Sequence, residues 1–191
     1  MRCVIIHYHE LALKGRNRDF FEQRLLYNIR TALKDLGVTR IESLRGRIRV
    51  VLREELLEQT VIERLSQVFG VANFSLANAV PLNLSKPNLD ELARGIGVAV
   101  GQRSFESFRV SAKRADKRVA LTSMDVEKAV GKYLCDLTGK KVKLTDPDLT
   151  VYIELLAKDA YYSLEKIPGP GGMPARGVVP PSWNPCRCAT A

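Results

Sequence analysis

Two basic segments hold the residue types best suited to chemistry in this chain. One is Lys14-Gly15-Arg16-Asn17-Arg18. The other is Lys113-Arg114-Ala115-Asp116-Lys117-Arg118. Each stands just before the expected start of a helix. Asn17 can cap the first helix, and Thr122 or Ser123 the second. Cations beside a helix N-terminus oppose the helix dipole, so three of them there cost a little stability unless an anion visits. Backbone N–H groups and cations gathered at one end of a strand-loop-helix unit suit phosphate. The plainer reading is a pair of solvated loops whose charges only keep the chain in solution. Other candidates are weaker. His7 and His9 are spaced to share a strand face, but a zinc site needs three or four ligands and nothing obvious joins them. Gly169-Pro170-Gly171-Gly172 could cradle phosphate, yet it lacks the Lys-Ser/Thr of a P-loop and no helix pattern follows. Gly95-x-Gly97-x-x-x-Gly101 does not fit a dinucleotide fingerprint, and close helix–sheet packing is its expected purpose.

The elements that must position these residues read from periodicity. Arg2–Tyr8 is a strand with Val4, Ile5 and Ile6 buried. A helix follows Asn17, burying Phe21, Leu25, Ile29, Ala32, Leu33 and Leu36, and Gly37 stops it. Residues 40–44 and 47–52 form a hairpin around Arg45-Gly46, with Arg47 and Arg49 on one face and Ile48 and Val50 on the other. Residues 55–69 are a helix with Leu57, Val61, Leu65, Val68 and Phe69 inside, and 71–84 are a strand. The order is β-α-β-β-α-β, a ferredoxin-like arrangement. A connector containing Pro87 separates it from a second unit. There a helix over 89–101 precedes the strand Phe105–Ser111, in which apolar and polar residues alternate. Past the basic loop, a helix places Val126, Val130, Tyr133, Leu134 and Leu137 inside and Asp125, Lys128, Lys132 and Asp136 outside. Residues 140–144 read as a short edge strand. Residues 149–156 and 160–167 are a hairpin, with Val151, Ile153 and Leu155 on one face. The fold class is α/β (α+β), divided as 1–84, 85–167, and a Gly/Pro linker with a tail over 168–191.

Composition sets the outer bounds. The 191 residues are 46% hydrophobic, enough for real cores, and carry a formal net charge of +9. The pI of about 9.6 points to a nucleic-acid partner ahead of an anionic membrane surface. No run of about 18 apolar residues predicts a membrane span, and the start has no secretory pattern. Cys3, Cys135, Cys186 and Cys188 match neither a zinc framework nor a disulfide scaffold, so reduced thiols in the cytoplasm are expected.

Tyr8-His9-Glu10-Leu11-Ala12-Leu13-Lys14-Gly15-Arg16-Asn17-Arg18 resembles the opening signature of the tRNA 4-thiouridine synthases, also called thiamine-biosynthesis sulfurtransferases. Phe108-Arg109-Val110-Ser111-Ala112-Lys113-Arg114 and Ser123-Met124-Asp125-Val126-Glu127 resemble the THUMP domain of those enzymes. Lys143-Leu144-Thr145-Asp146-Pro147-Asp148 and Gly171-Gly172-Met173-Pro174 continue the match, which spans about residues 2–174. His9 departs from it, standing where the family usually has a small residue. The end departs further. In the family the Gly-Gly-x-Pro loop leads into an adenylating domain with a phosphate loop and a catalytic cysteine, and residues 175–191 resemble neither.

The resemblance therefore implies the recognition half alone: a ferredoxin-like domain and a THUMP domain that hold a tRNA by its acceptor stem and 3′ end. It implies no catalytic residue and no cofactor in this chain, ATP and Mg belonging to the adenylating domain. A homodimer or a separate catalytic partner is its further expectation. Folded RNA is read through phosphates and 2′-hydroxyls. The expected RNA-binding residues are Lys14, Arg16, Asn17 and Arg18 in the first unit, and Lys113, Arg114, Lys117 and Arg118 in the second, followed by Arg109 and Lys143. The rival readings are a sulfur-transferring enzyme, a protein-interaction or small-ligand module, and a non-functional truncated synthase.

Overall fold

Alternation of period two and amphipathic runs of period 3.6 follow one another along the chain, and the structure turns them into strands and helices in the expected order. It is a computed structural model that describes residues 1–8, 18–44, 46–53, 56–82, 89–115, 121–156 and 158–174. The first six elements are β1 (Arg2–His7), α1 (Arg18–Ala32), β2 (Arg40–Leu44), β3 (Arg47–Val51), α2 (Glu58–Leu65) and β4 (Asn73–Pro81). Then come α3 (Asp90–Gly101), β5 (Ser107–Arg114), α4 (Ser123–Thr138), β6 (Lys141–Val142), β7 (Leu149–Leu155), β8 (Asp159–Ser163) and β9 (Ile167–Pro168). Two units result. One holds Arg2–Leu76 and the chain from Lys166, and the other holds Met1 and Ala77–Glu165.

In the first unit the strands lie in the order β2-β3-β1-β4, with β3 antiparallel to both β1 and β2. Val4 and Ile6, Ile48 and Val50, and Phe74 form one core with Leu25, Ile29 and Leu33 from α1 and its end and Val61 and Leu65 from α2. All of these are wholly screened from water, and each such side chain contributes about 1.5–3 kcal/mol. Helix α1 ends at Ala32, before the expected Gly37. The chain tightens first: Leu36 N–H donates to Leu33 O at 3.1 Å, an i→i−3 bond that closes a helix end. Helix α2 is shorter than expected for the same reason, with Gln67 and Val68 N–H bonded to Arg64 O and Leu65 O. Leu57, expected inside, is the N-cap of α2 and stands 73% exposed, because the cap position lies outside the amphipathic repeat.

The second unit orders its strands β4-β8-β7-β5-β6. Strand β5 is parallel to β7 and to β6, while β8 is antiparallel to β7 and to β4. Phe108, Val110, Val151, Ile153 and Leu155 pack with Leu92, Ile96 and Val100 of α3 and Val126, Val130 and Leu134 of α4. The glycines of α3 allow close approach. A Cβ at Gly95 would stand 2.9 Å from the Tyr162 hydroxyl of β8, and one at Gly97 would stand 2.8 Å from Leu137 Cδ2 of α4. Leu137 thus packs beside α3 while more than half exposed, where the helical repeat placed it inside. It sits at the end of α4, at the rim of the helix layer.

Residues 168–174 differ most from their expected role as a linker. Strand β9 pairs with Asn73–Phe74 of β4. Gly169 N–H and Gly171 N–H donate to Ala72 O and Val71 O, and Gly70 N–H donates to Gly171 O. The Pro174 ring is buried against Gly70. Long-range backbone bonds, invisible in local composition, convert a Gly/Pro stretch into a strap on the first unit. A Cβ at Gly169 would come within 2.2 Å of Val71 O, closer than backbone can tolerate. The expected outcome of Gly169→Ala is a loss of about 1–3 kcal/mol, read by urea denaturation, whereas Gly101→Ala, where a Cβ meets nothing within 4 Å, should not lower stability.

Candidate nucleic-acid interface

Side chains alternate across a strand, and β5 shows the consequence. Phe108, Val110 and Ala112 are buried in the core with α4. Arg109, Ser111 and Lys113 point to the opposite face. Lys113 is exposed and makes no hydrogen bond or ion pair among the described residues. Arg114, one residue on, returns to the α4 side, where its Nη1 donates to Leu121 O at 3.3 Å. It braces the chain as it enters the helix. The neighbouring pair Lys113 and Arg114 thus divides between the two faces of the sheet.

The start of α4 is closed by its own side chains. Thr122 Oγ1 accepts from Asp125 N–H at 3.2 Å, and Asp125 accepts from Thr122 N–H at 2.9 Å and Thr122 Oγ1 at 2.7 Å. This capping box satisfies the two donors reciprocally. The hydrogen bond from the Thr122 side chain leads the causes that hold the Asp125 carboxyl below its ordinary range.

The other end of β5 has a second carboxylate clamp. Asp148 accepts from Glu106 N–H at 3.1 Å, Ser107 N–H at 2.8 Å and Ser107 Oγ at 3.0 Å. Those bonds, the Ser107 hydroxyl first, push its carboxyl below the ordinary range, and the Lys143 charge adds to the shift. Beside the clamp lies an open groove of about 500 Å³ lined by Ser107, Gly139, Lys140, Lys141 and Lys143. Lys140 is paired with Glu106 at 2.8 Å. Lys141 and Lys143 are exposed. Arg109 lies beside this end, and its Nη1 donates to Leu144 O at 3.1 Å. Lys143 N–H bonds Phe108 O, so Lys143 and Lys113 are about 16 Å apart along the strand, at ~3.3 Å per residue. The described cations among those expected in the second unit, Arg109, Lys113, Arg114 and Lys143, are strung along β5 and not gathered at one point. Lys140 and Lys141 were missed as candidates; the run Lys140-Lys141-Val142-Lys143 on an edge strand was the available signal.

In the first unit Arg18 opens α1, its Nε 3.9 Å from Glu22 Oε2. The Tyr8 hydroxyl lies beside both; burial first, then Glu22, pushes its ionisation up, and Arg18 opposes this. Lys14, Arg16 and Asn17 lie outside the described residues, as do Lys117, Arg118 and His9. The basic face expected on β3 is locally neutralised. Arg49 bonds Glu42 across the strand pair, and Arg40 Nε reaches the same carboxylate at 2.6 Å. Arg49, then burial working the other way, dominates the lowered Glu42 carboxyl.

The Gly169–Gly172 segment does not supply a phosphate cradle, since Gly169 N–H and Gly171 N–H are committed to backbone carbonyls. Among the described residues no group of three His, Cys, Asp or Glu could hold a metal ion, and no helix is long and apolar enough to cross a membrane.

Residues 3–75 match the family model of the ThiI ferredoxin-like domain, and residues 86–165 match that of the THUMP domain. A "Probable tRNA sulfurtransferase" of Moorella thermoacetica is 37% identical over 173 residues, 90% of this chain and 42% of that protein. The chain therefore spans less than half the length of the curated relatives it matches. Among solved structures, PH1313 from Pyrococcus horikoshii Ot3 superposes with a TM-score of 0.79 at 30% identity, over 92% of this chain and 58% of the other. A 4-thiouridine synthetase–RNA complex with bound ATP superposes with a TM-score of 0.73 at 22% identity, over 92% of this chain and 44% of the other, a likeness of fold.

Thr122→Ala should cost about 1 kcal/mol of stability, measured by denaturant unfolding. Asp125 and Asp148 have depressed folded-state values, so their contribution is full above the ordinary aspartate range near pH ~4 and is lost as pH falls through the depressed values. Thermal melts should therefore drop below that range, and Asp148→Asn should flatten the drop.

Proposed function

We propose that this chain, which belongs by its two domains to the ThiI ferredoxin-like and THUMP families, is an RNA-binding module that recognises tRNA for 4-thiouridine formation. The observation that carries the reading is the THUMP match over residues 86–165, within which Lys113, Lys141 and Lys143 are exposed cations on a rigid sheet. Relatives whose names state tRNA sulfurtransferase, and a structural neighbour crystallised with RNA and ATP, support the same substrate class.

In this reading the backbone of the tRNA acceptor stem and 3′ end runs along β5. Lys113 meets phosphate at one end, and Arg109 and Lys143 at the other. Lys14, Arg16, Asn17 and Arg18, with Lys117 and Arg118, complete the set. The binding is to phosphate and 2′-hydroxyl and reads shape more than base sequence. In the family, adenylation and sulfur transfer, with their ATP and Mg, belong to the catalytic domain. Residues 1–174 supply the RNA-holding side of that work, in the cytoplasm and in a homodimer or beside a catalytic partner. This chain's own work is to hold and orient the RNA.

Counterion release makes the test direct. If ~5 phosphates are neutralised, log Kd against log salt should have a slope of about 3 to 4 in magnitude. Filter binding of tRNA between low and moderate salt measures it, and a slope near zero removes the proposal. Lys113→Ala should reduce the slope by about 1, and the Lys113/Arg114 double alanine should weaken binding by about 1–3 kcal/mol. The single variant is the cleaner one, because Arg114 also braces Leu121. Unchanged binding by both would displace the site from β5.

A further inference from the structure

We infer that the outer face of α1 is a second RNA-contacting surface, one that stacks unpaired nucleotides. It depends on the reading above only for the class of ligand, and it lies wholly within the first unit.

An α-helix turns roughly 100° per residue, so positions i and i+7 share a face two turns apart. Phe20 and Tyr27 are such a pair. They are 67% and 60% exposed on a helix whose inner face fills the core. Single exposed apolar residues are ordinary, but these two rings are held in place. Phe21, packed against the core, meets Phe20 edge-on with ring centres 5.4 Å apart at 77°. The Arg24 guanidinium lies 5.8 Å from the Tyr27 ring centre. The rings are braced by neighbours on their own helix, which lowers the cost of ordering them on contact with a ligand.

The charge around them is mainly positive, although Asp19 is an exposed carboxylate in the first turn of α1. Gln23, Arg30, Thr31 and Lys34 complete the exposed stripe. Two other carboxylates of this region are paired. Glu22 bonds Ser43 and lies beside Arg18, and Asp35 is held by Arg64 at 2.9 Å. A second copy of the same face would bring like charges together, which opposes self-pairing. A polyanion with flat apolar faces is the complement: its phosphates meet Arg24, Arg30 and Lys34, and its bases stack on Phe20 and Tyr27. Bases inside a duplex are already stacked, so the surface selects single-stranded segments.

The test uses the full chain with two probes, an oligo-uridylate of about 12 nucleotides and a duplex RNA of equal length. Phe20→Ala/Tyr27→Ala should weaken oligo-uridylate binding roughly fivefold or more and leave its salt slope and the duplex affinity unchanged. Arg30→Ala/Lys34→Ala should reduce the slope. Both pairs are exposed, and circular dichroism melts should match the parent chain. Equal oligo-uridylate affinity for the aromatic variant and the parent would overturn the inference, leaving the β5 reading to stand or fall by Lys113→Ala on tRNA. Polyglutamate that binds as tightly as oligo-uridylate and is lost in the same aromatic variant would also overturn it, assigning the face to an acidic protein.

Discussion

A strand at the margin of a sheet must find partners for the backbone groups its neighbours leave unpaired, and β5 meets that constraint with two carboxylates. Strand β6 covers β5 only at Ser107 and Phe108. Beyond it, Ala112 N–H donates to Glu127 Oε1 of α4 at 2.8 Å. At the other end Asp148 takes the N–H groups of Glu106 and Ser107. One acid fastens the strand to the helix that follows it, and the other fastens it to the turn that precedes β7. The strand is fixed in register at both ends, so Arg109 and Lys113 project from it at a set spacing. Removing the acids would loosen the platform before it touched the cations.

The same logic separates working charge from ornamental charge. The chain is basic by composition, but many of its arginines are answered at home. Arg2 meets Glu58, Arg64 meets Asp35, Arg103 meets Glu165, and Arg40 and Arg49 share Glu42. Among the described residues, exposed cations stand on β5, on the edge strand beside it, on the outer face of α1 and, as Lys128 and Lys132, on α4.

Much of this was readable from residue order. The β-α-β-β-α-β succession, the alternation of Phe108, Val110 and Ala112 with Arg109, Ser111 and Lys113, and the helical repeat of Val126, Val130 and Leu134 are local patterns, and local patterns survive into the fold. What escaped was non-local. Asp148 and Ser107 stand 41 residues apart, and no spacing rule links them. The capping role of Leu57 and the half-exposed seat of Leu137 depend on where a helix stops and what crosses it. That Lys113 and Arg114 face opposite ways follows from strand geometry, yet seeing them as one basic cluster hides it.

The strap formed by β9 and the residues after it gives the chain a nested order. The first unit is discontinuous: its sheet begins at Arg2 and gains its last strand only at Ile167. Residues 77–165 are a closed excursion between those events. On a ribosome that emits the chain from its N-terminus, the inner unit has all its strands in hand while the outer one still waits for its final pairing. The unit that starts first is therefore the one that finishes last.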